Sequence, residues 1–316
     1  MKIRIPKEIM TKPCLVCENP IEAFVDYGRM PIANGFLIKE DFPKEYFFRL
    51  HVGYCSKCHM VQLLEQPARE RMFHENYAFF SGTSKSMAVH FAGFAEHVLT
   101  DFIDSQDPFV VEMGSNDGIM LQNFAAKKIR HLGIEPSANV AKVAVERGIR
   151  TLNEFFDADL ARRIIEANGQ ADAFLAANVT CHIPYIHSIA AGVEILLKPK
   201  GVMIFEDPYL GDVIEKTSYD QIYDEHVFIF SLHSVASAFG APEPTRAADG
   251  SFDLLFCTSL TSTSTGYAVT ATTSAESSHA VHATSPGATG SGVGVYGQSA
   301  GPTGSGVVGE SSSYVG

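Results

Sequence analysis

The sequence has no run of basic residues, although a protein that binds nucleic acid needs Lys and Arg clustered against the phosphate backbone. It contains 24 Lys and Arg residues against 36 Asp and Glu residues, and its net charge is −12 at pH 7. This excess of acidic residues argues against nucleic acid as a partner.

Long apolar stretches are also absent from the sequence. No stretch reaches the roughly 18 apolar residues that a membrane-spanning helix requires. The N-terminal segment, MKIRIPKEIMTKPC, has no apolar core of the length found in signal peptides. We therefore expect a cytoplasmic protein without membrane contact, and its 316 residues are enough for two domains.

Cysteine is scarce, but four of the six cysteines form two matched pairs. Cys14 and Cys17 make one C-x-x-C motif, and Cys55 and Cys58 make another. Without a signal peptide, two such motifs are more typical of a tetrahedral zinc site than of disulfides. Redox chemistry or simple burial of the thiols are the alternatives, but neither explains two matched pairs. Four thiolates close the coordination shell, so we expect a structural Zn²⁺ in a domain formed by residues 1–80.

The middle of the chain alternates between predicted strands and predicted helices. Strands are predicted at 109–113, 131–135, 148–152, 172–177 and 201–206, with helices at 119–129, 137–147, 157–168 and 185–197. This succession predicts an α/β fold, a doubly wound and mostly parallel sheet with helices on both faces. We place this second domain at residues 81–240, with its ligand site beyond the carboxyl ends of the strands.

The turn after the first of these strands reads VVEMGSNDGIML, residues 110–121. Glu112 ends the strand, and Gly114, Asn116 and Gly118 form a turn without bulky side chains. Such a turn before a helix lets backbone approach a ligand closely, although plain strand-to-helix connections share the pattern. Because the G-x-G-x-x-G spacing is absent, an NAD-dependent oxidoreductase is disfavoured.

Other segments supply further candidate ligand groups. Glu135, in HLGIEPS, ends the second strand, where an acid can accept hydrogen bonds from ribose hydroxyls. Asn153, in NEFF, is placed to flank an adenine, and Asn178 lies where the methionine end of the same ligand would be. Tyr77 and the hydroxyl cluster that ends at Ser84 are candidates for the pocket lining. The interval from glycine turn to strand-end acid resembles that of S-adenosylmethionine-dependent methyltransferases.

The segment YDQIYDEHVFIFSLHS, residues 219–234, concentrates titratable side chains. Tyr223, Asp224, Glu225 and His226 are consecutive and precede an apolar run. Taken alone, such a cluster is usually solvated charge. At the edge of a nucleotide-binding sheet it is the place to expect a general base.

Together these motifs resemble the zinc-containing sugar C-methyltransferases of deoxysugar biosynthesis. The resemblance covers residues 1 to about 240 and rests on the two C-x-x-C pairs, VVEMGSNDGIML, GIEPS, ANVTCHIPY and YDEHVFIFSL. It is greatest to the carbon-3 methyltransferases that act on dTDP-linked 4-keto sugars. It implies methyl transfer from S-adenosylmethionine to the carbon next to the ketone, in deoxysugar and antibiotic biosynthesis. We expect a monomer.

The resemblance also implies roles for single residues. His226 would be the base that removes the proton, and Tyr223 and Glu225 would position the sugar or the base. His182 would assist the developing enolate. The cofactor would be held by Gly114, Asn116, Glu135 and Asn178.

Residues 241–316 differ sharply in composition from the rest of the chain. They contain no lysine, and a loose repeat of short apolar segments predicts a β-solenoid-like or disordered tail rich in Gly, Ser and Thr. The resembled family continues here with a second α/β domain that completes the sugar site, so we expect its absence to weaken or abolish turnover. The alternative function is a structural or assembly protein whose tail is active and whose methyltransferase core is not.

Overall fold

The computed structural model describes residues 12–240 and the backbone of residues 256–257. The predicted repeat tail therefore lies outside the described residues apart from one short strand. Among the described residues, no helix combines the length and the apolar character needed to cross a membrane. Two β-sheets organise this part of the chain.

The smaller sheet is antiparallel, and its strands precede and follow each of the two cysteine motifs along the chain. Its strands, in spatial order, are β1 (Lys12–Pro13), β2 (Pro20–Pro31), β3 (Phe47–Tyr54), β4 (Val61–Leu63) and β10 (Phe228–Ile229). The alternate residues Phe48, Leu50 and Val52 of β3 pack into one apolar cluster, as expected of a strand with one buried face. The long strand β2, which pairs with β3, and β3 itself both lie in the interval between the cysteine motifs.

Strand β10 joins this sheet from the far end of the described chain. Phe228 pairs with Gln62 and Ile229 pairs with Val61, and only Val227 separates this strand from the tetrapeptide Tyr223–His226. Helix α8 (Leu232–Phe239) follows and begins with a capping box at Ser231. The N-terminal sheet therefore fixes the position of the chain that carries the tetrapeptide.

The larger sheet has five parallel strands and one antiparallel edge strand. In spatial order these are β11 (Phe256–Cys257), β9 (Leu197–Glu206), β8 (Ala171–Ala177), β5 (Phe109–Met113), β6 (Arg130–Ile134) and β7 (Thr151–Leu152). Strand β5 pairs with β6 on one side and with β8 on the other, so the order of the strands reverses at β5. A crevice opens beyond the carboxyl ends of the strands at such a reversal, and ligands bind there.

Helices cover both faces of the larger sheet. They are α2 (Lys85–His97), α3 (Leu121–Ala126), α4 (Ala138–Glu146), α5 (Ala158–Asn168) and α6 (Ile186–Leu196), with the short α1 (Arg69–Met72) and α7 (Leu210–Glu215) outside this set. Phe109 and Val111 of β5 pack with α5 and α6, whereas Val110 packs with α2 and α3. Because successive side chains of a strand point to opposite faces, this alternation confirms an α/β fold built on a mostly parallel sheet.

The predicted element boundaries differ from the observed ones at several places, including the start of β9, and two of the differences lie beside turns. The strand predicted at 148–152 is reduced to β7, because Gly148 has a φ of 82° and turns the chain before the strand begins. The helix predicted at 119–129 is reduced to α3, and Lys128, with a φ of 60°, reverses the chain after it.

Candidate active site and metal centre

The four predicted zinc ligands lie together in space. The sulfur atoms of Cys14, Cys17, Cys55 and Cys58 are all within 4.8 Å of one another. Those of Cys14 and Cys58 are 3.6 Å apart, and those of Cys17 and Cys55 are 3.5 Å apart. A tetrahedral zinc with Zn–S bonds of about 2.3 Å places its sulfurs about 3.8 Å apart, so this set fits the ion.

The two cysteine turns have equivalent backbone conformations. The N–H of Glu18 donates to the carbonyl of Cys14, and the N–H of His59 donates to the carbonyl of Cys55. Glu18 and His59, which each follow the second cysteine of a pair, have φ values of 60° and 56°. Two equivalent turns that each present two thiols are the construction expected of a four-thiolate site.

Neighbouring thiols of the cysteine cluster perturb one another's pKa values. The hydrogen bond between the sulfurs of Cys14 and Cys58 lowers the pKa of Cys14 to about 5 and raises the pKa of Cys58. A zinc ion bound here would deprotonate the thiols outright. Among the described residues the cluster consists of the four cysteines, and His59 instead contacts the hydroxyl of Tyr54 at 2.5 Å. Four protein ligands leave no open position, which is typical of a structural site.

The turn between β5 and α3 depends on its glycines. Gly114 has a φ of 68°, and a Cβ atom there would lie 2.6 Å from Val179. Gly118 has a φ of 81° and equally little room. Asn116, between them, has a φ of 49°, which asparagine tolerates better than most residues. The turn can therefore present backbone at the crevice.

Glu135 follows the carboxyl end of β6 and is buried. One carboxylate oxygen accepts the N–H of Asn116 at 3.0 Å, and the other accepts the N–H of Ser137 at 2.8 Å. Burial raises the pKa of Glu135, while these backbone N–H groups lower it. Each oxygen keeps a lone pair for one further donor, so the carboxylate fits the two hydroxyls of a ribose.

A cavity of about 420 Å³ occupies the crevice, which is within the usual range for small-molecule sites. It is lined by nine of the predicted residues: Tyr77, Gly114, Asn116, Glu135, Asn178, His182, Tyr223, Glu225 and His226. Aromatic side chains make up much of the remaining lining: Phe73, Phe79, Phe91, Phe155, Phe156 and Tyr185. Aromatic faces and carboxylates suit an adenine ring and a positively charged sulfonium.

Four predicted cofactor residues do not line the cavity. Ser84 caps α2, where its hydroxyl accepts a backbone N–H of the first turn. Glu112 is buried in β5, and burial raises its pKa. A Cβ atom at Gly118 would meet the side chain of Ile149, which precedes β7. The amide of Asn153 donates to the backbone carbonyl of Glu135 at 2.9 Å. These residues shape the crevice without facing it.

The imidazole of His226 has a defined orientation. Its Nδ1 lies 2.8 Å from the carbonyl oxygen of Gln221. A carbonyl can only accept, so Nδ1 carries the proton and Nε2 keeps its lone pair. Burial lowers the pKa of His226, so the ring is neutral at pH 7. A neutral imidazole with a free Nε2 can act as a general base.

Glu225 is held from two sides. The amide of Asn34 donates to one carboxylate oxygen at 2.5 Å, and the hydroxyl of Tyr77 donates to the other at 3.2 Å. The preceding residue, Asp224, accepts the N–H of Ala33 at 3.0 Å. Burial raises the pKa of both acids. The chain between β2 and β3 therefore supports the tetrapeptide directly.

His182 and Tyr223 are the aromatic neighbours of His226. The ring of His182 stacks 5.3 Å from that of His226, and the ring of Tyr223 lies 4.4 Å from it. Burial lowers the pKa of His182 to about 3 and raises the pKa of Tyr223, so both side chains are neutral at pH 7. The buried Nε2 of His182 has no protein partner, which leaves it for a ligand.

Asn34 and Arg69 are among the cavity residues that were not predicted from the sequence. Asn34 lies between β2 and β3, and its role follows from a contact with residue 225 that no local pattern reveals. Arg69, in α1, places its guanidinium 4.1 Å from the ring of Phe155 and donates to the hydroxyl of Tyr185 at 2.6 Å. Its position in a short α1 gives no signal in the sequence.

Comparison with protein families agrees with this geometry. Residues 14–73 match a family described as "Putative zinc binding domain", and residues 69–241 match one described as "Methyltransferase domain". The second match spans more than half of the 316 residues, so the chain belongs to the methyltransferase domain family. The fold is that of S-adenosylmethionine-dependent methyltransferases, and the cysteine cluster lies in a zinc-binding region, which confirms both predicted cofactors at the level of the family.

Individual relatives cover the chain to different extents. C-methyltransferase NovU of Streptomyces niveus is 31% identical over 216 residues, which is 68% of this chain and 51% of NovU. The chain thus spans about half the length of the curated relative that it matches. Among solved structures, a SAM-dependent methyltransferase from Anabaena variabilis is 18% identical with a TM-score of 0.39, over 54% of this chain and 77% of its own. DesVI from Streptomyces venezuelae is 17% identical with a TM-score of 0.32, over 40% and 53%.

Proposed function

We propose that this protein is an S-adenosylmethionine-dependent C-methyltransferase that acts next to the ketone of a nucleotide-linked keto-deoxysugar. The proposal is carried by one observation, the neutral His226 whose Nδ1–H is held by the carbonyl of Gln221 in the same cavity as Glu135. NovU, a relative over half of its length, is named a C-methyltransferase. The dTDP linkage, the place in antibiotic biosynthesis, the monomeric state and the cytoplasmic location belong to the same proposal.

The residues around the glycine turn would hold the cofactor, which supplies an electrophilic methyl group on a sulfonium. Glu135 would accept hydrogen bonds from the ribose, because each of its oxygens keeps a lone pair. Gly114 and Asn116 would present backbone to the ligand, and Asn178 and Tyr77 would complete the polar lining. Aromatic side chains would contact the adenine and favour the cationic sulfonium.

We assign the proton transfer to His226. A ketone makes the adjacent C–H bond acidic, because its oxygen accepts the electron pair as the enolate forms. As this C–H bond breaks, the proton forms a new N–H bond at Nε2 of His226, and the Gln221 carbonyl at Nδ1 stabilises the resulting imidazolium. Neutral Tyr223 and His182 would donate hydrogen bonds to the enolate oxygen, and Glu225 would position the sugar.

We further propose a division of labour along the chain. Residues 1–80 form the zinc-binding domain, residues 81–240 form the methyltransferase core, and residues 241–316 form the repeat tail. The pairing of β10 with β4 supports a structural task for the zinc, because the N-terminal sheet then carries the chain that follows His226.

The variant His226→Ala tests the proposed function. With a nucleotide-linked keto-deoxysugar, residues 1–316 are expected to transfer the labelled methyl group, at the weakened rate expected without the second α/β domain of the resembled family. Without the methyl donor, the same chain is expected to exchange the hydrogen next to the ketone with D₂O. We expect the variant to slow both processes by at least about 100-fold, because the base is gone. The Kd for S-adenosylhomocysteine, measured by calorimetry, should stay within about threefold.

One result would overturn the assignment, and a control variant accompanies it. Methyl transfer or hydrogen exchange at an undiminished rate in His226→Ala shows that another group is the base. The control is His97→Gln, at the end of α2, where the histidine contacts the exposed carboxylate of Asp101. This variant should leave both rates unchanged.

A further inference from the structure

Residues 77–82, here called the cavity segment, form a wall of the cavity, and the proposed mechanism does not explain what holds this wall in place. Tyr77, Phe79 and Ser81 all line the cavity. The only regular structure in this segment is the start of a short 3-10 turn at Ser81–Thr83. A wall with so few main-chain hydrogen bonds of its own must be held by other parts of the molecule.

Two asparagines of the larger domain hold the cavity segment at its backbone. The amide of Asn139 donates to the carbonyl of Tyr77 at 2.7 Å. The amide of Asn116 donates to the carbonyl of Phe79 at 3.1 Å, and its oxygen accepts the N–H of Ser81 at 2.9 Å. Each contact is to backbone, so it fixes the path of the segment and not one side chain.

Asp117 makes the most strongly charged of these attachments. Its carboxylate is 1% exposed and accepts the N–H of Gly82 with both oxygens, at 3.1 and 3.0 Å. The guanidinium of Arg147 pairs with the same carboxylate at 3.1 Å and also donates to the carbonyl of Asp117. Hydrogen bonds to a charged acceptor are roughly twice as strong as neutral ones.

Gly82 shows how closely the segment is seated on this ion pair. A Cβ atom at Gly82 would lie 2.5 Å from a carboxylate oxygen of Asp117 and 2.8 Å from a guanidinium nitrogen of Arg147. An added methyl group would have to push the segment away from the ion pair or displace one of these two side-chain ends. The contact as it stands therefore depends on glycine for a steric reason that is independent of the hydrogen bond.

The cavity segment connects the two ends of the candidate site. At one end, the N–H of Asn116 donates to Glu135, the acid assigned to the ribose. At the other end, the hydroxyl of Tyr77 donates to Glu225, next to the assigned base. A displaced segment would disturb both ends together.

We propose that Asp117 is a positioning residue that holds the cavity segment, through the N–H of Gly82, in the conformation that binds the cofactor. Asp117 does not line the cavity, so it acts through the segment and not by contact with the ligand. The inference rests on the proposed function in that the ligand is an adenosyl compound.

The full-length chain with Gly82→Ala provides the first test, with S-adenosylhomocysteine as the probe in calorimetry. We expect affinity to fall by at least about tenfold, because the added methyl group pushes the segment away from the ion pair without altering the buried charge. The matched control is Gly93→Ala in α2, where an added Cβ meets nothing within 4 Å. Its affinity should equal that of the wild type.

Asp117→Asn provides the second test, through hydrogen exchange of the free protein. The amide that replaces one carboxylate oxygen must face either the N–H of Gly82 or Arg147, both of which are donors. We expect faster exchange in peptides that cover residues 77–82 and a similar loss of affinity. The control Asp159→Asn removes an exposed ion pair with Arg162 and should change neither quantity.

The outcomes separate the inference from the function on which it rests. Unchanged affinity in both variants, even with a lower Tm, overturns the positioning role, because a purely structural residue would change stability alone. Unchanged exchange of residues 77–82 in Asp117→Asn overturns the attachment itself and needs no ligand. Failure of the wild type to bind S-adenosylhomocysteine overturns the proposed function instead. Should Asp117→Asn fail to fold, Gly82→Ala still decides the question.

Discussion

The cysteine cluster and the cavity are completed in different ways. The cluster takes its four ligands from two equivalent turns of one region, and these ligands leave no open position. The cavity takes Asn34 from the N-terminal region, Glu135 from the larger sheet and Glu225 from the chain before β10. A site with all ligands in place stabilises its own surroundings, whereas an open site needs support from several elements. The N-terminal region does both, since it binds its metal and also supports the residues of the cavity.

Among the changes that test this comparison, removal of one zinc ligand is expected to have the largest effect on the stability of the protein. Structural zinc contributes on the order of 10 kcal/mol to the folding of small domains, so Cys55→Ser should abolish zinc binding and unfold the N-terminal sheet. Because β10 pairs with β4, the cavity should be lost as well. Metal analysis and thermal melting measure the two effects.

A cysteine outside the cluster provides the control for this experiment. Cys181 is fully buried but belongs to the larger domain, and Cys181→Ala should retain one zinc per chain. Full zinc content with an unchanged Tm in Cys55→Ser would contradict the four-thiolate site. Cofactor binding that survives zinc loss would show that the two regions are independent, and the comparison would fail.

Asn34→Ala should have a smaller effect and would sharpen the comparison. It removes the hydrogen bond to Glu225 and leaves a buried carboxylate oxygen unsatisfied, which costs about 1–3 kcal/mol. We expect methyl transfer to slow by roughly 5- to 100-fold while zinc content stays the same. Asn19→Ala, which removes an exposed amide of the same region, should leave the rate of methyl transfer unchanged in the same assay. Equal rates in the two variants would show that the contact of Asn34 with Glu225 does not contribute to methyl transfer.

A change of pH should have the smallest effect on the rate of methyl transfer. Burial lowers the pKa of His226 below its usual value of about 6.5, and the imidazole must be neutral to act as the proposed base. We expect kcat/KM to be constant down to about pH 6.5 and to fall only at lower pH, as the folded protein takes up the proton. If kcat/KM instead falls to half of its plateau value at a pH above 6.5, burial does not determine the pKa of His226.

The same shift predicts the sign of the stability change. Unfolded histidine binds its proton more readily than His226 does in the fold, so this contribution to stability is present above about pH 6.5 and is lost as the pH falls through the lowered pKa. Glu135 and Glu225 act in the opposite sense, because burial raises their pKa values. Their contribution is present at low pH and is lost as the pH rises through those raised values. Melting curves of wild type and His226→Ala across pH 4 to 8 separate the histidine from the acids.

Local sequence patterns were sufficient for much of the fold and part of the site. The cysteine pairs, the glycine turn at Gly114 and the strand-end acid Glu135 each follow from residue spacing within a short stretch. The parallel strands were predictable because buried strands and amphipathic helices alternate along the chain. The positions of His182 and His226 in one cavity came from the resemblance to a family.

Long-range contacts could not be predicted in this way. Asn34 contacts Glu225, and β10 pairs with β4, across most of the described chain. Asp117 looks like an ordinary turn residue until the N–H of Gly82 is seen on its carboxylate. Ser84 was predicted to line the pocket and Asn153 to flank an adenine, but their side chains satisfy nearby backbone groups in the fold. Spacing alone does not tell which way a polar side chain will turn.

The position of β10 limits how this protein can be cut or recombined. A fragment limited to residues 69–241, the methyltransferase match, would keep β10 but lose the strand beside it. Phe228 and Ile229 would then form an open, apolar strand edge, which invites aggregation. In a chimera, the two halves must come from the same parent or be redesigned together at this strand pair, so we expect the zinc-binding and methyltransferase segments to be inherited as one unit.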